Sequence, residues 1–176
     1  MITAYDQPAL GAVYKLVSIE NDEGVMEDTI KLSSNAEKVS TPGKKQVWRI
    51  NRKSDGKSEG DYITLWDEDP RTEEELFMFH PVHTFINKTI RNFEARPVLT
   101  AIYENGQLVY DLPELEEIKH YAQDSLNSLW EEYKRDLNPQ QYPVDLSTEC
   151  WNHKMAIMNK VRKRVAASKE KGDNEL

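Results

Sequence analysis

An α+β fold is predicted, with an antiparallel β-rich first half, a hairpin near the middle and two C-terminal helices. Three features of the 176-residue sequence predict it. Short β-competent runs separated by turn residues fill positions 13–66, Asn105-Gly106 lies between two β-rich runs, and beyond Pro113 the apolar residues recur at helical spacing.

Taken in order, residues 2–4 read as the tail of a strand and 6–11 as a turn with a short helical twist. The chain thus opens inside a connection and is expected to be a piece of something larger. Residues 13–19 alternate apolar and polar, 29–32 is a short β-competent run, and 47–50 follows the Pro42-Gly43 turn. Residues 62–66 follow the polar loop 53–60. Four such strands suggest an antiparallel sheet. Residues 67–75 form an acidic loop broken by Pro70. From 76 to 96 the apolar residues are interrupted by His80-Pro81 and Asn87-Lys88-Thr89, and no element is assigned there.

Asn-Gly is the preferred pair for a type I′ turn because both central positions need positive φ, so a hairpin is expected over 98–110. Pro113 is placed in the first turn of a helix, with Glu114, Glu116 and Glu117 near the positive end of its dipole. Leu115, Ile118, Tyr121 or Ala122, Leu126, Leu129 or Trp130, and Tyr133 keep to helical spacing, and the helix ends near Asn138-Pro139. Ser147 is the expected N-cap of a second helix with the apolar face Cys150, Trp151, Met155, Met158, Val161 and Val165. Lys160, Arg162, Lys163 and Arg164 suit its negative dipole end. The helices occupy 113–167, and the polar tail 168–176 is expected to be disordered.

Composition narrows the function. A chain of this length buries roughly 70% of its unfolded surface as one domain, and 38% hydrophobic against 31% charged residues implies a thin core. The net charge of −8 repels a phosphate backbone, which argues against nucleic acid. No apolar run approaches the ~20 residues that cross a bilayer, and no apolar leader is recognised, so no membrane partner and a cytoplasmic location are expected. The single cysteine, Cys150, suits a reducing compartment.

Several local patterns invite chemistry, and each has a plainer reading. His80-x-x-His83 has zinc-like spacing, but Pro81 disfavours a helix at His80 and no third ligand is nearby, so packing is preferred. Cys150 and His153 resemble a thiolate and its base, yet a cysteine on a buried face is inert. Thr41-Pro42-Gly43-Lys44-Lys45 with Arg49 suits an anion, because a glycine turn frees N–H groups and lysines add charge; a solvated turn explains it equally well. Gly56 and Gly60 fit no nucleotide-binding spacing and read as turn residues. Asp67-Glu68-Asp69 and Glu73-Glu74-Glu75 lack the alternation of a calcium loop. The basic stretch 160–171 is explained by a helix C-terminus.

The strings Ala9-Leu10-Gly11-Ala12-Val13-Tyr14-Lys15-Leu16-Val17 and Thr41-Pro42-Gly43-Lys44-Lys45-Gln46-Val47-Trp48-Arg49 resemble the C-terminal third of the nicotinate phosphoribosyltransferase family. So do Met78-Phe79-His80-Pro81-Val82-His83, Asn92-Phe93-Glu94-Ala95-Arg96, Leu129-Trp130-Glu131-Glu132-Tyr133-Lys134-Arg135 and Tyr142-Pro143-Val144-Asp145-Leu146-Ser147, in the order of the bacterial branch.

The resemblance implies the C-terminal portion of a cytoplasmic glycosyltransferase of NAD biosynthesis. Such an enzyme makes nicotinate mononucleotide from nicotinate and phosphoribosyl pyrophosphate with ATP hydrolysis, using magnesium. Its catalytic (β/α) barrel would lie upstream and carry a histidine phosphorylated by ATP, whose motif none of the four histidines here matches. Residues 1–12 would leave the barrel beside its phosphate loop, 13–112 would form a β-rich flanking domain, and the enzyme would be a homodimer. Thr3, Tyr5, Asp6 and Gln7 would neighbour the phosphate end of the substrate, with Lys44 and Arg49 as weaker candidates. No catalytic residue, metal or cofactor is expected in this chain alone, which would be inactive by itself. The alternative is a self-standing acidic α+β interaction module.

Overall fold

The computed structural model describes residues 13–173, and the chain divides into two compact units, Met1–Gly43 and Lys44–Leu176. In the first unit, β1 (Ser18–Glu20) pairs antiparallel with β2 (Met26–Asp28). The Asn21 side chain accepts from the N–H groups of Glu23 and Val25 at 3.0 and 2.9 Å, and Gly24 takes φ 77°. That turn fixes the register, so 26–28 rather than the expected 29–32 comes opposite β1. The strand expected over 13–19 is likewise confined to its end. Asn35 then caps a single 3-10 turn, Ala36–Lys38. Residues 1–12, with their expected strand tail and turn, lie outside the described residues.

The second unit is built on a six-stranded sheet. β3 (Lys45–Arg52) and β4 (Ser58–Leu65) form a long antiparallel hairpin with a register shift at Ile50/Asn51. Both strands exceed the expected 47–50 and 62–66, and Gly60 lies inside β4 rather than in a turn. The stretch looks polar, but Gly60, Tyr62 and Thr64 alternate inward, while the register shift sets Ser58 opposite Asn51 on the side of Asp61, where it is buried beneath Tyr142. Ser58 is satisfied by Tyr142, and Gly60 leaves space for Pro143.

The unassigned region contains three strands: β5 (Glu75–Phe79), β6 (Asn87–Arg91) and β7 (Phe93–Pro97). They follow a 3-10 turn, Pro70–Thr72, capped by the Asp69 side chain. Only Asn92, at φ 54°, separates β6 from β7, and asparagine tolerates this left-handed conformation better than most residues. Beyond them, β8 (Tyr103–Glu104) and β9 (Gln107–Leu108) form the expected hairpin, shorter than 98–110, with Asn105 at φ 50° and Gly106 at φ 77°.

α1 (Leu115–Ser128) starts later than expected, with Glu114 as N-cap and Pro113 outside it; the Glu117 carboxylate accepts from the Glu114 N–H at 2.9 Å. It stops at Ser128 instead of running to Asn138-Pro139, because Leu129 and Trp130 turn extended before the one-turn α2 (Glu131–Lys134). β10 (Val144–Leu146) follows, unforeseen because it is three residues long and preceded by Pro143. α3 (Thr148–Asp173) has the expected N-cap: the Cys150 N–H donates to Ser147 Oγ at 3.0 Å. It continues beyond Ser168, where a disordered tail was expected, through the helix formers Lys169, Glu170 and Lys171.

The strand order is β6-β5-β10-β4-β3-β7, antiparallel throughout except that β10 runs parallel to β4. The two edge strands, β6 and β7, are consecutive in the chain with one residue between them. The sheet therefore rolls up until its edges meet at Asn92, although no ladder joins β6 to β7 among the described residues. Trp48, Ile50, Tyr62, Leu76, Met78, Ile90, Phe93 and Ala95 fill the interior, and burying each large side chain contributes roughly 1.5–3 kcal/mol. A second cluster lies outside the roll, where Cys150 and Trp151 of α3 pack on Phe79 and Leu146.

Candidate functional site

The charged site candidate lies on the outer face of the roll. Arg49 and Asp61 occupy directly opposed positions of β3 and β4, and the guanidinium donates to both carboxylate oxygens at 3.0 and 3.2 Å. Tyr142, in the approach to β10, donates to Asp61 at 3.1 Å; as Asp61 only accepts, the 2.6 Å contact with Ser58 is Ser58 donating to the phenol oxygen. The Arg49 guanidinium lies 5.8 Å from the Tyr142 ring, and Tyr133 meets that ring edge-on at 5.5 Å. The hydrogen bond to Asp61 raises the Arg49 pKa above its ordinary value. Burial, with the Asp61 carboxylate beside it, pushes the Tyr142 phenol up to about 12, so it is protonated at neutral pH.

α1 is held against this face by its C-terminal end. The Lys57 ammonium donates to the carbonyls of Asn127 and Leu129 at 2.8 and 3.1 Å, as a cation suits the negative end of a helix. The Trp130 indole N–H donates to the Ser58 carbonyl at 2.9 Å, and Arg52 lies 4.7 Å from the Trp130 ring. These anchors turn the chain out of the helix. Farther along α1, the Arg96 guanidinium lies 5.9 Å from the Tyr121 ring, and its hydrogen bond to the Tyr121 hydroxyl lowers that pKa.

Two clefts open between α1 and the sheet, one of about 340 Å³ beside Arg96 and Tyr121 and one of about 570 Å³ beside Asp61 and Tyr142. Arg49 and Ser125 line both. Their floor alternates cations with the carboxylates Asp61, Glu94 and Asp124, so it does not gather positive charge. The arrangement holds two protein elements in register; its phenol is too weak an acid to act as a base at neutral pH.

The residues expected to touch substrate are dispersed. Thr3, Tyr5, Asp6 and Gln7 lie outside the described residues. Lys44 places its ammonium 3.9 Å from the Trp66 ring, while Arg49 engages Asp61 at mid-strand. In the glycine turn, the Gly43 N–H donates to the Val17 carbonyl at 2.9 Å. His80 and His83 stack at 5.1 Å, and His80 Nδ1 accepts the N–H groups of Val82 and His83. Cys150 is fully buried, and burial pushes its thiol up to about 11.

The acidic run is engaged locally: Glu68 accepts from the Leu65 N–H and from Ser147 Oγ, Asp69 pairs with Arg71 and Glu75 with Arg91. Among the described residues no group of three His, Cys, Asp or Glu could hold a metal ion, and no helix is long and apolar enough to cross a membrane. Asp61, Tyr142, Tyr121 and Arg96 were not among the site residues expected from the sequence, although Tyr121 was placed on the helix and Arg96 and Tyr142 stand in the family strings. Pairing 49 with 61 across the 53–57 loop would have exposed the first of them.

A rolled sheet with a helix clamped over a charge-compensated face has the build of an accessory domain in an α+β protein. Comparison with known proteins makes this specific: the chain belongs to the nicotinate phosphoribosyltransferase C-terminal domain family, whose model matches residues 44–154. Nicotinate phosphoribosyltransferase of Bacillus subtilis is 57% identical over 94% of this chain and 34% of its own length. The enzyme of the same name from Homo sapiens is 35% identical over 84% of this chain and 26% of its own. The crystal structure of human nicotinic acid phosphoribosyltransferase superposes with a TM-score of 0.58 at 30% identity, covering 69% of this chain and 23% of that one. The chain thus spans about a third or less of its relatives' length. The likenesses give no support to a self-standing interaction module.

Proposed function

We propose that this chain serves as the C-terminal portion of a nicotinate phosphoribosyltransferase, a cytoplasmic, homodimeric enzyme of NAD biosynthesis. The family match over 44–154, which spans the rolled sheet, α1 and the start of α3, carries this reading. In the reaction the nicotinate ring nitrogen bonds to the anomeric carbon of phosphoribosyl pyrophosphate, the bond to pyrophosphate breaks, and nicotinate mononucleotide forms with ATP hydrolysis. Magnesium neutralises the leaving diphosphate. In this reading magnesium, ATP and the reacting groups belong to the barrel of the enzyme. Thr3, Tyr5, Asp6 and Gln7 lie beside the phosphate end of the substrate in this reading, with Lys44 and Arg49 as weaker contacts. The chain's own part is structural support of that barrel.

The test is a chimera in which this chain replaces the matching third of the Bacillus subtilis enzyme. It is expected to form nicotinate mononucleotide with dependence on nicotinate and phosphoribosyl pyrophosphate and stimulation by ATP. A folded, monodisperse chimera without that activity overturns the reading.

A further inference from the structure

We propose that the apolar surface running from the β8–β9 hairpin to the middle of α1 is where this domain docks on the catalytic portion of its enzyme. The occupant is the part of its relatives' length that this chain does not span, and the inference rests on the function proposed above.

α1 has apolar residues at helical spacing, yet none of its residues is buried. Leu112 is 80% exposed, Leu115 64% and Ile118 48%, and on the hairpin Tyr103 is 66% and Leu108 55% exposed. An isolated helix of this length is marginal in water without a packed face, and exposed apolar side chains gathered on one element mark an interaction site. The patch lies within 44–154, so it belongs to the family's domain.

The relatives supply a covering body, since about two thirds of the Bacillus subtilis enzyme lies outside the match. Glu114, Glu116 and Glu117 are exposed and flank Leu115 in the first turn of α1. They disfavour an anionic bilayer and call for an apolar partner surface with a lysine or arginine rim. Lys57 and Trp130 clamp the far end of α1, so the helix is presented as a rigid element.

Hydroxyl-radical footprinting of the same chimera tests the assignment. Tyr103, Leu108, Leu115 and Ile118 are expected to label on the order of fivefold less than their exposure in this domain predicts, because interface cores exclude solvent. Phe85 and Leu137, 79% and 80% exposed, are the references within the same sample. Leu115→Asp with Ile118→Asp should lower the chimera's melting temperature by several degrees and leave that of this chain alone unchanged. Labelling of the patch equal to the references overturns the proposal. So does protection that grows with the concentration of this chain alone and is absent from the chimera, which would make a second copy the occupant. An active chimera with a labelled patch defeats the docking and leaves the function; an inactive chimera with a protected patch does the reverse.

Discussion

Arg49 and Asp61 are directly opposed across β3 and β4 and joined by two hydrogen bonds, with their side chains only 24% and 17% exposed. Removing one member leaves the other charge, and the Tyr142 hydroxyl, short of a partner in a partly desolvated place. Asp61→Ala is expected to cost roughly 1–3 kcal/mol of unfolding free energy. Arg49→Met combined with Asp61→Ala should cost less than the sum of the two single changes, as coupled pairs are not additive. Urea unfolding of the four proteins closes the cycle, and additive losses would remove the pair from the account of stability.

The Lys57 contacts to the carbonyls of Asn127 and Leu129 explain why α1 stops where it does. Lys57→Met keeps most of the stem and removes the donors. Hydrogen exchange of the amides at 125–130 is expected to accelerate by about tenfold, corresponding to ~1.4 kcal/mol of local stability, with the rolled sheet unaffected. Unchanged exchange there would leave Trp130 as the sole anchor.

Local signals were legible in the sequence wherever a few residues carried their own reason. Asn105-Gly106 forms its turn because both positions need positive φ, and Ser147 caps α3 through its own hydroxyl. Long-range closure was not legible. Ser58 and Gly60 look like loop residues until Tyr142 and Pro143, more than eighty positions away, supply the partner and the reason for the missing side chain. The break after Ser128 likewise depends on Lys57 and Ser58, which helical spacing cannot register. The family strings carried the domain's membership, while the Arg49–Asp61–Tyr142 cluster required the β3–β4 register.

Cys150 is fully buried, and its thiol is pushed from 9.0 up to about 11 by burial. The folded state therefore favours the neutral thiol over the unfolded chain. This contribution is fully present below about pH 9 and is lost as pH rises through about 11. Iodoacetamide at pH 8 should modify the native chain far more slowly than the chain in urea, since thiolate and access are both lacking. Cys150→Ala should lose less stability than the parent between pH 9 and 11, by urea midpoints. Rapid alkylation of the folded protein would place the thiol at the surface instead.

Gly60 sits in β4 at φ 141°, and a Cβ built there meets both the Cβ and the carbonyl oxygen of Pro143 at 3.0 Å. Neither contact is a flexible side-chain end, because the proline ring is rigid and its carbonyl accepts the Asp61 N–H at 3.0 Å. Gly60→Ala must therefore push β10 away from β4 or twist β4 itself, at an expected cost of ~2 kcal/mol or more. Gly106→Ala supplies the comparison: φ is 77° but nothing lies within 4 Å of the added carbon, so only backbone strain of ~1–2 kcal/mol is expected, confined to a hairpin that packs on no other strand. In urea unfolding followed by tryptophan fluorescence, Gly60→Ala should shift the midpoint of the rolled sheet and Gly106→Ala should leave it in place. Equal shifts would mean that the Pro143 contact does not hold β10 in the sheet.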